Sequence, residues 1–295
     1  MQRTLEVPFP LDLGRSLLPL RVGRHDPTIR LSEHALLRAS RTPDGPVTLR
    51  ADHQGDRIEL DAWGPGAAWA LEQAPGLLGC RDDRDGFDPP PGLVRQLQRD
   101  HEGLRLPRTD RVVEALLPAV LGQRVTGFEA RRAYVQLVER WGEPAPGPGG
   151  LLLAPEPGVI AELGYYDLHL IGMEKKRADT LRRVCAHASR LEDAGHGPGL
   201  RERLETIPGV GLWTSAEVAR LAVGDPDAVS VGDHNLKHLV AYALAGEERG
   251  SDARMLELLE PYLGHRGRVC RLIEVSRVGP PRKTPRQAIQ PLASR

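Results

Sequence analysis

Three cysteines in 295 residues, Cys80, Cys185 and Cys270, are too few and too far apart for much chemistry. They form no C-x-x-C pair, which argues against a metal site of that kind, and they suggest no disulfide framework. No long apolar run and no signal-peptide pattern is present. The expectation is therefore a soluble, cytoplasmic protein with no membrane partner. An excess of charge is missing too, since 40 Lys and Arg balance 40 Asp and Glu. Zero net charge weighs against nucleic acid as a partner, because phosphate binding needs basic surface. The charge is uneven, however. From Pro261 to Arg295 there are eight Lys or Arg and one acid, Glu274. Almost all the basic charge is Arg. That fits forked phosphate contacts, and it equally fits a genome rich in G and C.

What is present is enough for buried cores. Hydrophobic residues make up 40% of the chain, and its length suits two or three domains. Residues 1–95 have strand character. Val47, Leu49 and Ala51 alternate, as do Ile58, Leu60 and Ala62, around a turn at His53-Gln54-Gly55-Asp56. Gln2 to Phe9 reads as a further strand and Ala67 to Gln73 as a helix. Arg81 to Pro91 is charged, ends in three prolines, and reads as a linker.

After the linker the pattern turns helical. Asp110 is placed to cap a helix over 111–123, with Pro118 bending it. Thr126 and Glu129 form a capping box. The helix behind it has Ala130, Ala133, Tyr134, Leu137 and Trp141 on one face. Gly142 to Gly150 is a Pro/Gly loop, and 160–171 is helical around Gly164. Lys175, Lys176 and Arg177 open another helix. They read as phosphate contacts or as a solvated face. Gly195 to Gly199 is a break, and 279–295 is a basic tail.

The informative stretch runs from Leu204 to Lys237. Two helical runs flank Ile207-Pro208-Gly209-Val210-Gly211. Pro208 stops the first helix, and the two glycines allow positive φ and close backbone approach. A new helix then starts with free N–H groups, which is an anion site suited to a DNA phosphate. About twenty residues on, Val231-Gly232-Asp233-His234 opens another helix. Asp233 reads two ways, as a helix cap or as a catalytic carboxylate.

A helix-hairpin-helix, a Gly/Pro loop and a spaced Asp resemble the base-excision DNA glycosylase superfamily. Gly103-Leu104-Arg105-Leu106-Pro107 and Leu121-Gly122-Gln123 add to the likeness, which runs from about residue 100 to 275. Within the superfamily the chain is most similar to the bacterial 3-methyladenine DNA glycosylase II. The resemblance implies a mainly α fold with an N-terminal α+β domain over 1–95. A helical core over 96–278 would follow, with two subdomains flanking a cleft and the hairpin over about 199–223. It implies a monomer that excises damaged, alkylated purines from double-stranded DNA near the bacterial nucleoid.

Residue by residue, the resemblance makes Asp233 the acid beside the sugar. Trp213 stands where bifunctional relatives carry a nucleophilic lysine, so no strand cleavage is implied. Its ring would stack on a cationic base or pack in the core. Glu217 and His265 stand where the family has pocket aromatics, and Glu217 equally suits a pair with Arg220. Arg124, beside Gln123, stands at the position that wedges into the DNA stack. Phe9 stands as a pocket residue or a core one. Pro208, Gly209, Val210, Gly211 and Thr214 would hold the strand, with Ser215 as a further hydroxyl. No iron–sulfur cluster is possible with three cysteines. A bound Na+ or K+ is implied at the hairpin backbone of Ile207 and Gly209.

Overall fold

The computed structural model describes residues 1–194 and 199–281. The expected break at 195–199 and tail at 279–295 lie almost wholly outside them. The N-terminal unit is one antiparallel sheet in the order β1-β5-β4-β3-β2. Its strands are β1 (Gln2–Glu6), β2 (Ile29–Leu31), β3 (Ala35–Thr42), β4 (Gly45–Gln54) and β5 (Arg57–Trp63). Leu49 pairs with Ala62 and Ala51 with Leu60. The two alternating runs thus bury one shared face, as a period of two requires. The turn between them is tighter than read, only Gly55 and Asp56, with Gly55 at φ +67°. Helix α1 (Leu13–Leu17) and α2 (Ala67–Leu77) cover the buried face. Helix α2 runs on past Gln73 through Pro75.

A second core is helical. It is built from α4 (Val112–Leu121), α5 (Gly127–Trp141), α6 (Pro157–Glu162), α7 (Tyr165–Leu170), α8 (Lys175–Ala186), α9 (Ala188–Ala194), α10 (Leu200–Glu205) and α11 (Leu212–Ala222). A two-stranded ribbon, β6 (Glu143–Pro144) and β7 (Leu152–Leu153), crosses the Pro/Gly loop. Leu116, Leu121, Leu137, Leu181 and Val218 are fully enclosed at the centre. The capping box forms, with Thr126 and Glu129 bonded reciprocally. Trp141 is only partly buried at the edge. The expected helix over 160–171 is two, because Leu163 and Gly164 leave helical geometry between α6 and α7.

The cap of α4 is a correction. Asp110 does not cap it; its carboxylate takes Arg108 Nε at 2.5 Å instead. Glu192 from α9 supplies the cap, accepting from Val112 N and Val113 N at 3.0 Å each. A carboxylate there also suits the positive end of the helix.

A third core holds α12 (Leu236–Ala245), α13 (Asp252–Leu259) and α14 (Arg266–Ser276). Helix α3 (Leu93–Asp100) joins it through Val94 and Leu97. The boundary read at residue 95 therefore falls inside a helix. The linker over 81–91 is also not loose. Arg268 holds Asp82 through two bonds of 2.7 Å, with their side chains 5% and 3% exposed. Phe87 is buried against the same core. A charged, proline-rich stretch reads as linker only until its acid finds a buried partner. Among the described residues no helix is long and apolar enough to cross a membrane.

Candidate active site

The hairpin between α10 and α11 follows from its residues. Gly209 has φ +98°, and a Cβ there would lie 2.1 Å from Thr180 Oγ1 on α8. Only glycine permits both the conformation and the approach. Val210 and Ile207 point inward and anchor the turn, while Pro208, Gly209 and Gly211 stay exposed. Arg183 of α8 donates to Pro208 O at 2.6 Å. The N–H groups of Gly211, Leu212, Trp213 and Thr214 have no partner among the described residues. These are the open donors of a helix start, suited to an anion.

The Leu121-Gly122-Gln123 block, far away in sequence, lies against this turn. Gln123 Nε2 donates to Gly209 O and to Thr214 Oγ1, both at 2.9 Å. A Cβ on Gly122 would meet the ring of Trp213 at 3.3 Å. Next to Gln123, Arg124 is exposed in the left-handed region at φ +54°. It has no side-chain partner among the described residues. Strain of about 1 kcal/mol or more at a non-glycine residue of this kind clusters at functional sites.

Asp233 lies at the mouth of α12, half-buried. Its Oδ1 accepts from Asn235 N at 2.7 Å and Leu236 N at 2.8 Å. Its Oδ2 accepts from Trp213 Nε1 at 3.2 Å. One side chain thus meets both the start of α12 and Trp213. The helix fixes one oxygen, and the hairpin helix α11 holds the other. Gly232, at φ +92°, turns the chain into this position, and Asp252 Oδ1 holds its N–H at 3.0 Å.

The loop before Asp233 is clamped at its base. Asp227 takes Gly264 N, Arg266 N and Arg266 Nε, the last at 2.9 Å. Burial pushes the Asp227 carboxyl up, but the Arg266 bonds outweigh it and hold the group below its ordinary value.

Several predicted residues have other work. Glu217 accepts on Oε2 from Arg220 Nη2 at 2.7 Å and on Oε1 from the Ser230 hydroxyl at 2.5 Å. Both oxygens hold a partner inside the chain. The pair with Arg220 is the reading that fits. Ser230 O in turn accepts Asp233 N at 3.1 Å. His265 is the residue before α14, its ring 5.1 Å from Phe87 and its Nε2 3.2 Å from Asp85 O. It packs on the former linker, not against Trp213 or Asp233.

Thr214 and Ser215 are buried at 2% and 1% exposure. Thr214 serves Gln123, and Ser215 donates to Glu205 Oε1 at 2.6 Å. Neither hydroxyl is presented to a strand. Arg177 is likewise interior, bonded to Leu121 O and Gly172 O at 2.9 and 3.0 Å. Lys175 and Lys176 stay on the surface. Phe9 packs on the N-terminal core, under the guanidinium of Arg105 at 4.9 Å. Arg183, Ser230, Asp227 and Asp252 support the site without any signal in their local sequence.

No family model matches the chain. It is similar to the "probable bifunctional transcriptional activator/DNA repair enzyme AlkA" of Mycobacterium tuberculosis, 33% identical over 171 residues. That match covers 54% of this chain and 34% of the relative, so the chain spans about a third of that protein's length. DNA-3-methyladenine glycosylase 2 of Escherichia coli is 27% identical over 128 residues, 42% of this chain and 45% of that one. Among solved structures, the 3-methyladenine DNA-glycosylase of Archaeoglobus fulgidus superposes with a TM-score of 0.77. It is 17% identical and covers 93% of this chain and 98% of its own, a likeness of fold.

Proposed function

The chain belongs to the helix-hairpin-helix DNA glycosylase superfamily, and from that premise we propose a monofunctional DNA glycosylase. Its reaction is hydrolysis of the N-glycosidic bond of a damaged, alkylated purine in duplex DNA, leaving an abasic site. The target base leaves the stack, because its sugar carbon is shielded in the duplex. Arg124, strained and without a side-chain partner among the described residues, fills the gap. The free N–H groups of 211–214 hold a backbone phosphate. Asp233 faces the deoxyribose, stabilises the developing oxocarbenium ion and orients the attacking water.

The observation that carries this reading is the double hold on Asp233, by the start of α12 and by Trp213. It ties the acid to the same helix whose N-terminus would grip the strand. Trp213 has no amine for an imine, which supports hydrolysis without strand cleavage. Its ring also suits a positively charged alkylpurine.

A monovalent cation at Ile207 and Gly209 belongs to the same proposal. Each of those carbonyls accepts one bond in the chain, from Val210 N and from Gln123 Nε2, both at 2.9 Å. Each keeps a second lone pair that would reach an ion.

The test is single-turnover base release from duplexes carrying one alkylated purine, one oxidised purine or one uracil. Wild type should act on the alkylated purine, and borohydride should trap no covalent adduct. Asp233→Asn should bind the duplex but release no base at a comparable rate. Release from another lesion alone would move the substrate. Tight DNA binding with no release by wild type on any duplex would replace the enzyme with a binding module.

A further inference from the structure

A cavity of about 450 Å³ opens in the N-terminal unit, apart from the hairpin. It lies over β2 and the near ends of β3 and β4. Its walls carry Arg21, Arg24, Arg30 and Arg50 against one acid, Asp52. In a chain of zero net charge that is a strong local excess.

The acid is already used. Arg50 takes Asp52 at 2.9 Å and Asp61 at 2.6 Å. The other three arginines have no carboxylate partner among the described residues. Arg30 donates only to the carbonyls of Asp26 and Ile29. Arg21 reaches Leu31 O at a long 3.4 Å, and its Nε is buried with no partner among the described residues. Arg24 is exposed and makes no hydrogen bond among the described residues. A buried guanidinium N–H left unsatisfied costs about 1–3 kcal/mol. Three uncompensated charges converging on one space mark a place for an anion.

Apart from Ser32, the rest of the wall is apolar, presented by Leu31, Ala35 and Leu37. Pro148 and Gly149 close the rim from the helical unit. Gly149 has φ +94°, and a Cβ there would lie 2.3 Å from Leu37 Cδ2, so the rim closes this tightly only with glycine. We propose that this cavity is a nucleotide site. Arg21, Arg24 and Arg30 take the phosphate, and the apolar wall takes the base. A volume in this range suits a small ligand with a few polar anchors. The nucleotide would be either free in solution or a residue of a DNA strand. The site is separate from Asp233 and does not depend on the chemistry proposed there.

The test is calorimetric titration of the full chain with deoxyadenosine monophosphate, with competition by a short single-stranded oligonucleotide. Saturable binding by wild type is expected, weakened about tenfold or more in Arg24→Ala and in Arg30→Gln. Both side chains are exposed, and a thermal melt checks that the variants fold. Deoxyadenosine and inorganic phosphate should each bind at least about tenfold more weakly than the nucleotide. Asp233→Asn should bind it as wild type does. Competition by the oligonucleotide assigns the site to a strand; no competition assigns it to the free nucleotide. Absence of saturable binding, or equal affinity in the arginine variants, overturns the site. Equal affinity for inorganic phosphate overturns the nucleotide.

Discussion

Two seams of the molecule are built on opposite terms, one around the hairpin and one between the 81–91 stretch and α14. At the hairpin seam the bonds are exposed or half-buried: Gln123 to Gly209 and Thr214, and Trp213 to Asp233 at 3.2 Å. At the other seam, Arg268 and Asp82 are sealed at 5% and 3% exposure and doubly bonded. Arg268 also stacks over Phe87 at 5.7 Å. A buried ion pair is costly to form and costlier to break. A half-exposed hydrogen bond exchanges readily with water or a ligand. One seam is therefore a bolt, and the other leaves its polar groups within reach of a strand.

Breaking the bolt should have the largest effect. Asp82→Ala strands Arg268, and unfolding in urea should show a loss of about 3–5 kcal/mol. Base release at a temperature where the variant stays folded should be near normal. A stability change under about 1 kcal/mol would mean the two seams do not differ.

Asp233→Asn tests the open seam. An Asn oxygen still caps α12, so stability should move by only a few tenths of a kcal/mol. Base release should fall about 10²–10³-fold. A large loss of stability with an unchanged rate would make Asp233 a cap alone.

Trp213→Phe removes the bond to Oδ2 and keeps most of the ring. A drop of about tenfold in single-turnover rate is expected, with duplex affinity nearly unchanged. An unchanged rate would show that α11 does not position the acid.

The smallest effect concerns pH. The folded Asp227 carboxyl lies below its ordinary value of 3.8. Its contribution is complete above that value and fades as pH falls through the lower folded one. Asp227→Asn should lose that contribution at neutral pH and show a shallower acid limb in urea titrations. An acid limb identical to wild type would remove Asp227 as the clamp beneath the Asp233 loop.

Local patterns were legible where one segment settles its own structure. The alternation over 47–62 needs only a period of two, and the Thr126–Glu129 box closes on itself. The hairpin was legible for the same reason, since proline and glycine dictate backbone there. The bonds of Glu217 and His265 were not legible locally, because a carboxylate or imidazole takes its role from what surrounds it. Arg220, Ser230 and Phe87 are those surroundings, the last 178 residues away from His265 in sequence.

The sequence alone determined the strand and helix periods, the glycine turn and the place of Asp233 at a helix start. Each follows from backbone rules that act over a few residues. Only the tertiary structure decided that Glu192 caps α4, that Asp82 bolts the former linker to α14, and that Trp213 holds Asp233. Those outcomes depend on which charges and donors meet after the chain has closed, and proximity across 20 to 186 positions leaves no trace in local spacing.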